Sequence, residues 1–442
     1  MTQSVQGAIE MKLMDAFDYR SMIMSNKKAN RKTIKLYPDN QTQIYNGVSG
    51  NKIKFNFPAR GFLDNRNISL NFTARNTTTN TNPYTSSFNQ WIESVINKVT
   101  ITLGDGSSVC EKLEQYNINA VSKYKNEVSA QYASTLGTDL LGFGEYAERV
   151  TWGQQGRQYC VPLKSSGLFS GNLKYMPLGV LSMAGFNKSL VVEIELEQPQ
   201  NCMVKSNVAN LGNLSYEISN IYMQLELLEA PAYEDELMNA VKNGKTVALP
   251  YVTSNYWNFN IAQNQSGNMT FPILQYNQFV HNVRTIFTLP HTDITEYTNH
   301  FFRPANIQEY QYQINSKYWP NQAVELTANS NANADLEKYK CFNKLKDYEN
   351  GSLISSSSTV PDQNSLTNGF MIAQTFKTFY DNEEFIKDSG NYSLDGVDTT
   401  DKSSIVFRLK TSGVQPQSLF MHNFVDYQSA IVVDRSGASI IN

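Results

Sequence analysis

The sequence predicts an all-β chain in which one β module is used twice. Three observations carry that expectation. Short runs of alternating apolar and polar residues recur along most of the 442 residues, and a period of two places one face of a strand on a core. The chain holds 25 Tyr and 23 Phe, residue types that favour strands and large packed surfaces. A strand–helix–strand segment lies at the midpoint, with 197 residues before it (34–230) and 198 after it (245–442). A chain of this length exceeds one ordinary domain and can bury two or three cores.

The first segment, Ala8 to Met24, has Ile9, Leu13, Phe17 and Met24 near one helical face, which predicts a helix. A basic patch, Lys27 to Lys32, follows. Residues 1–33 are therefore expected to form an N-terminal helical arm. It either packs on its own domain or docks on a neighbouring subunit or underlying layer. From residue 34 the pattern becomes strands and turns. Lys52–Phe57 and Ile68–Ala74 alternate, and Val95–Leu103 runs into Gly104-Asp-Gly106, a turn signal. Glu111–Asn126 reads as a helix and Gly137–Gly156 as a loop. Strands resume at Arg157–Leu163, Gly171–Met176, Ser189–Glu195 and Leu214–Leu228. About eight strands with one inserted helix fit a two-sheet sandwich of the jelly-roll type.

Pro231 stops the last of these strands. Tyr233–Lys242 then reads as a short helix closed by Asn243-Gly244, and Thr246–Tyr251 is extended. The second half keeps the order. Asn268–Leu274, Val280–Leu289 and Ile307–Asn315 are strand-like, and Trp319-Pro320 is expected to end that region. Asp335–Tyr348 reads as a helix and Asn350–Asn368 as a soft loop. Strands follow at Gly369–Phe376, Ser404–Leu409, Ser418–Phe424 and Ser429–Val433. The segment from Val99 through the first inserted helix corresponds to the segment from Glu309 through the second. Ser189–Glu195 corresponds to Ser404–Leu409. A repeat this long means two copies of a domain. The expected layout is an arm (1–33), a first eight-stranded jelly roll (34–230), a hinge helix (231–244) and a second jelly roll (245–442), each roll with a short inserted helix.

The motifs that carry chemistry are missing. Gly244-Lys-Thr246 has the tail of a phosphate loop, but Asn239 stands where the loop needs its first glycine, and a polar helix precedes it. A helix C-terminus ending in glycine accounts for it. The four histidines (His281, His291, His300, His422) form no HxH or HExxH pair, so metal sites built on such pairs lack their ligands. Cys110, Cys160, Cys202 and Cys341 show no zinc spacing and read as free buried thiols. Asp381–Glu384 is an acidic turn without the spaced ligands of a calcium loop. No GxSxG elbow occurs. Several Asn-x-Ser/Thr sites, among them Asn67, Asn187 and Asn391, are what an Asn-rich chain contains by chance. No basic-then-apolar leader and no run of about 20 apolar residues is present. The expectation is no catalytic residue, no cofactor and no metal. Lys+Arg 37 against Asp+Glu 40 gives −3, which argues against a basic nucleic-acid coat and against sequence-specific binding of nucleic acid.

Four segments, Phe55–Phe72, Trp91–Gly106, Tyr222–Tyr251 and Tyr310–Pro320, taken in order and with two equal halves, resemble the double jelly-roll major capsid proteins of tailless icosahedral double-stranded DNA viruses. That lineage includes adenovirus hexon, tailless phages, virophages and polinton-like viruses. The resemblance implies a non-enzymatic capsid protein of the virion. Three chains would form a homotrimer of six rolls, a pseudo-hexagonal block that tiles a shell. Its partners would be neighbouring capsomers, penton and minor capsid proteins, and an internal membrane or genome layer met through the arm. Thr77–Ser87, Gly137–Gly156 and Asn350–Asn368 would supply tower loops. A competing reading is a carbohydrate- or receptor-binding jelly-roll spike, with Trp91, Trp152, Trp257 and Trp319 available to stack on sugars.

Overall fold

The computed structural model describes residues 29–40, 44–48, 51–78, 86–89, 91–104, 106–127, 133–144, 146–170, 173, 175–182, 188–205, 214–277, 279–289, 302, 307–325, 371–376, 396–400, 404–411 and 418–441. In the first half the strands are β1 (Asn30–Leu36), β2 (Lys52–Pro58), β3 (Phe62–Asn76), β4 (Ser86–Phe88), β5 (Ile96–Leu103), β6 (Val109–Leu113), β7 (Arg157–Pro162), β8 (Tyr175–Pro177), β9 (Lys188–Leu196), β10 (Met203–Lys205) and β11 (Tyr216–Glu229). In the second half they are β12 (Val247–Ile261), β13 (Gly267–Ile273), β14 (Val280–Thr288), β15 (Ile307–Ile314), β16 (Lys317–Glu325), β17 (Met371–Thr375), β18 (Ile405–Thr411), β19 (Leu419–Asp434) and β20 (Gly437–Ile441).

The sheets show that the two halves share one topology. The first half has a sheet β1-β11-β3-β7, with β8 added on β3, and a sheet β2-β9-β5-β6. The second half has β12-β19-β14-β17, with β20 added on β19, and β13-β18-β15-β16. With the short β4, β8, β10 and β20 set aside, each half contains eight strands. In both, the first, eighth, third and sixth form one sheet, and the second, seventh, fourth and fifth form the other. That is the jelly-roll order, two Greek keys closed into a sandwich.

Side-chain alternation fills each sandwich. In β2, Ile53, Phe55 and Phe57 are buried while Lys52 faces solvent. In β9, Leu190, Val192, Ile194 and Leu196 point inward. The second core is markedly aromatic. Phe407 of β18 lies 4.8 Å from Tyr312 and 6.4 Å from Phe271, and Tyr312 meets Phe376 edge-on at 6.2 Å. Such pairs add to the stabilisation from burial alone.

Several local expectations are corrected. Glu111–Leu113 belong to β6, paired with β5. The inserted helix begins only at Tyr116, after Gln115 takes a positive φ of 50°. Gly137–Gly156 is largely helical, with turns at Thr138–Leu141 and Tyr146–Gln155. Its glycines act as terminators, Gly142 at φ 69° and Gly156 at φ 78°. Trp319-Pro320, joined by a cis peptide, lies inside β16 instead of ending the region. The last two expected strands are one 16-residue strand, β19. Residues 30–33, read as the end of the arm, pair with β11. The expected helices Ala8–Met24 and Asp335–Tyr348, the loop Asn350–Asn368, the acidic turn Asp381–Glu384, His291, His300 and Cys341 lie outside the described residues.

Candidate functional site: the seam between the rolls

The hinge helix, Pro231–Lys242, carries Pro231 at its first turn, where a missing N–H costs nothing. Leu237 and Val241 are buried. Glu234 is also buried, and its Oε1 accepts the Gly61 N–H at 2.8 Å. A Cβ on Gly179 would lie 2.0 Å from the same oxygen, so this glycine admits the carboxylate. The helix is thus bolted to the first roll. At its other end the Gly244 N–H donates to the Val241 carbonyl and the Lys245 N–H to the Ala240 carbonyl, both at 3.0 Å, with Gly244 at φ 88°. This is a Schellman cap. It accounts for Gly244-Lys-Thr246 without any phosphate.

Beyond the hinge, the rolls meet along a buried seam. Residues Met421 to Tyr427 of β19 are buried consecutively, on both faces of the strand. On one side Phe424 and Asp426 meet Arg284, which reaches the first roll. Gly167, in the turn after β7, approaches the backbone of β12 so closely that a Cβ would fall 1.6 Å from the Val252 carbonyl oxygen. Only glycine fits there. The Tyr251 hydroxyl donates to the Cys110 carbonyl across the same seam.

Two polar devices cross the interface. The first is Arg284 of β14, with no exposed surface. Its Nη1 donates to Ser122 Oγ at 2.6 Å and its Nη2 to Asn119 Oδ1 at 2.7 Å, both on the inserted helix Tyr116–Glu127 of the first roll. Its Nη2 also lies 3.6 Å from Asp426 Oδ1 on β19, and its guanidinium sits 5.6 Å from the centre of the Phe424 ring. Asp426 accepts a further bond from the Ser254 hydroxyl. The second device is Glu111 of β6, also fully buried. It accepts the Ser166 hydroxyl and, at 2.7 Å, the Gly167 N–H. Leu168 and, from the second roll, Thr253 lie close by. Burial raises its pKa, and the hydrogen bonds it accepts oppose the rise.

Elsewhere, side chains with chemical potential are committed to packing. His422 is held between the Tyr256 hydroxyl at Nδ1 and the Thr288 hydroxyl at Nε2, both 2.8 Å. Cys110 and Cys202 are buried free thiols, as expected, whereas Cys160 is only half-buried. Among the described residues no group of three or more His, Cys, Asp or Glu could hold a metal. Trp91 is fully buried against Phe143 at 4.8 Å, Trp319 meets Phe376 at 5.7 Å, and Trp152 is stacked under Arg157 at 4.0 Å. No sequence pattern marks Arg284, Gly167 or Glu111 as joining residues.

No protein-family model matches this chain, and no curated protein matches it. Solved structures do. A chain of the PBCV-1 virus capsid superposes with a TM-score of 0.62 at 9% identity, covering 95% of this chain and 98% of that one. The Faustovirus major capsid protein gives 0.56 at 9%, covering 93% and 91%. The mavirus major capsid protein gives 0.50 at 11%, covering 92% and 89%. This chain has the double jelly-roll fold. The likeness lies in the path of the backbone across both rolls and the seam, and very little of it in residue identities.

Proposed function

We propose that this chain is a major capsid protein of an icosahedral double-stranded DNA virus, a structural component of the virion and not an enzyme. The observation that carries the reading is the pairing of two rolls of identical strand order, sealed side by side into one body. Such a body offers large outer faces and, at its join, groups spent on mutual hydrogen bonds. We divide it into a first roll (30–230), a hinge (231–244) and a second roll (245–442). Three chains assemble into a homotrimer whose six rolls form a pseudo-hexagonal capsomer, which meets further capsomers, penton and minor proteins. Residues 1–29 serve as an arm toward a neighbour, membrane or genome layer, for which Lys27 and Lys28 are suited. A net charge of −3 lets like subunits approach without strong repulsion.

Mass photometry and electron microscopy of the expressed chain test this. The expected result is a stable species of three times the 50.0 kDa chain mass that tiles into hexagonal arrays. A monomer with measurable glycan affinity would overturn it in favour of a spike.

A further inference from the structure

We propose that Glu111 makes docking of the two rolls proton-linked, so that closing the seam takes up a proton and opening it releases one. The geometry separates the two seam carboxylates. Asp426 faces the cation of Arg284 at 3.6 Å. Glu111, 2% exposed, has no lysine or arginine within ion-pair distance among the described residues. The groups that face it are the phenols of Tyr116 on the inserted helix, Tyr251 on β12 and Tyr427 on β19, with Cys110 beside it on β6. Burial pushes the Tyr116 and Tyr251 phenols up and Tyr427 to about 12, so all three stay neutral and supply no positive charge.

The shell accommodates a neutral acid. The Gly167 amide can only donate, but the Ser166 hydroxyl can reverse and accept. One carboxyl oxygen can therefore keep an amide donor while the other, protonated, donates to a hydroxyl. Gly167, which donates to the carboxylate, lies against the Val252 backbone of the second roll, and Cys110 beside it accepts the Tyr251 hydroxyl, so the proton sits where the rolls meet. Opening the seam returns the carboxyl to water and toward its ordinary value of 4.5. The sign follows. A folded-state pKa raised above 4.5 adds stability that is fully present below that value and is lost as pH rises through the raised one. Acidification toward 4.5 tightens the seam, and rising pH loosens it.

Hydrogen exchange of the full chain tests this at the Gly167, Leu168 and Thr253 amides between about pH 5 and 8, corrected for intrinsic rates. In the wild type, opening should increase with pH, approaching tenfold per unit within the titration window. E111Q, a neutral isostere, should show opening that no longer depends on pH. E197Q removes another buried carboxylate with a raised pKa, one confined to the first roll, and should keep the wild-type slope. An E111Q slope equal to that of the wild type overturns the proposal. If E111Q fails to fold, the wild type decides: exchange at these amides that does not rise with pH overturns it equally.

Discussion

Replacing Arg284 by methionine tests the seam most directly. Methionine fills much of the stem volume, so the change removes charge and hydrogen bonds more than bulk. Three groups lose their partner: Ser122 Oγ, Asn119 Oδ1 and the Asp426 carboxylate. Asp426 keeps the Ser254 hydroxyl, yet its charge stays buried without a cation. Breaking a buried pair from one side costs about 3–5 kcal/mol. At roughly 2–4 °C per kcal/mol for a unit the size of one roll, the melting midpoint should fall by about 6–20 °C. Calorimetry of Arg284→Met, Asp426→Asn and the double variant forms a cycle. Neutralising Asp426 in the Arg284→Met background should recover part of the loss, with a coupling of about 0.5–3 kcal/mol. A single-variant loss below about 1 kcal/mol, or strict additivity, would refute the pairing on which the seam argument rests.

Three further outcomes are expected. Gly167→Ala places a methyl 1.6 Å from the Val252 carbonyl, so the rolls must shift apart; size-exclusion chromatography should show lost trimer while circular dichroism keeps the β signal. Deleting Tyr233–Asn243 frees the first roll from Glu234 and the hinge cap, and trimer yield in mass photometry should collapse; normal yield would reduce the hinge to a tether. Burial opposes ionisation of Asp64, but hydrogen bonds from Arg66 and the charges of Arg66 and Arg31 outweigh it and hold the pKa below 3.8. That stability is present above 3.8 and is lost as pH falls through the lowered value. With half-exposed arginine partners the effect is about 1 kcal/mol, and Asp64→Asn should flatten acid denaturation curves by that amount.

The sandwich was legible because its residues obey local rules. The alternation of Lys52–Phe57 and Ile307–Asn315 reports a half-buried strand, and the glycine cap after Lys242 reports a helix end. The seam was not legible, because burial on a strand's second face leaves no period. Arg284 stands in Val280–Leu289 beside His281, Asn282 and Thr285, one polar residue among several. Asp426 made β19 look like two strands, since a charge in a run of apolar residues reads as a break. Glu111 read as the start of a helix because β6 is short, and its pairing with β5 is a tertiary fact. Gly167 falls between two expected strands, and its need for no side chain comes from a backbone 85 positions away. The visible signal was a departure from alternation: polar residues at positions where a one-sided strand would be apolar.

The seam joins unlike surfaces of like units. The first roll contributes β6 and its inserted helix, while the second contributes β12, β14 and β19, strands that hold the first, third and eighth places in its own sandwich. A contact of this kind is heterologous, and it differs from a two-fold contact in what it leaves over. The first roll still carries its own first, third and eighth strands, β1, β3 and β11, and the second its own fifth, β16, none of which supplies a seam residue named above. Head-to-tail contacts between like units do not cancel in pairs; they continue around a ring until it closes or run on as a filament. On the proposed reading a single chain is an arc with two different ends, which further copies would close.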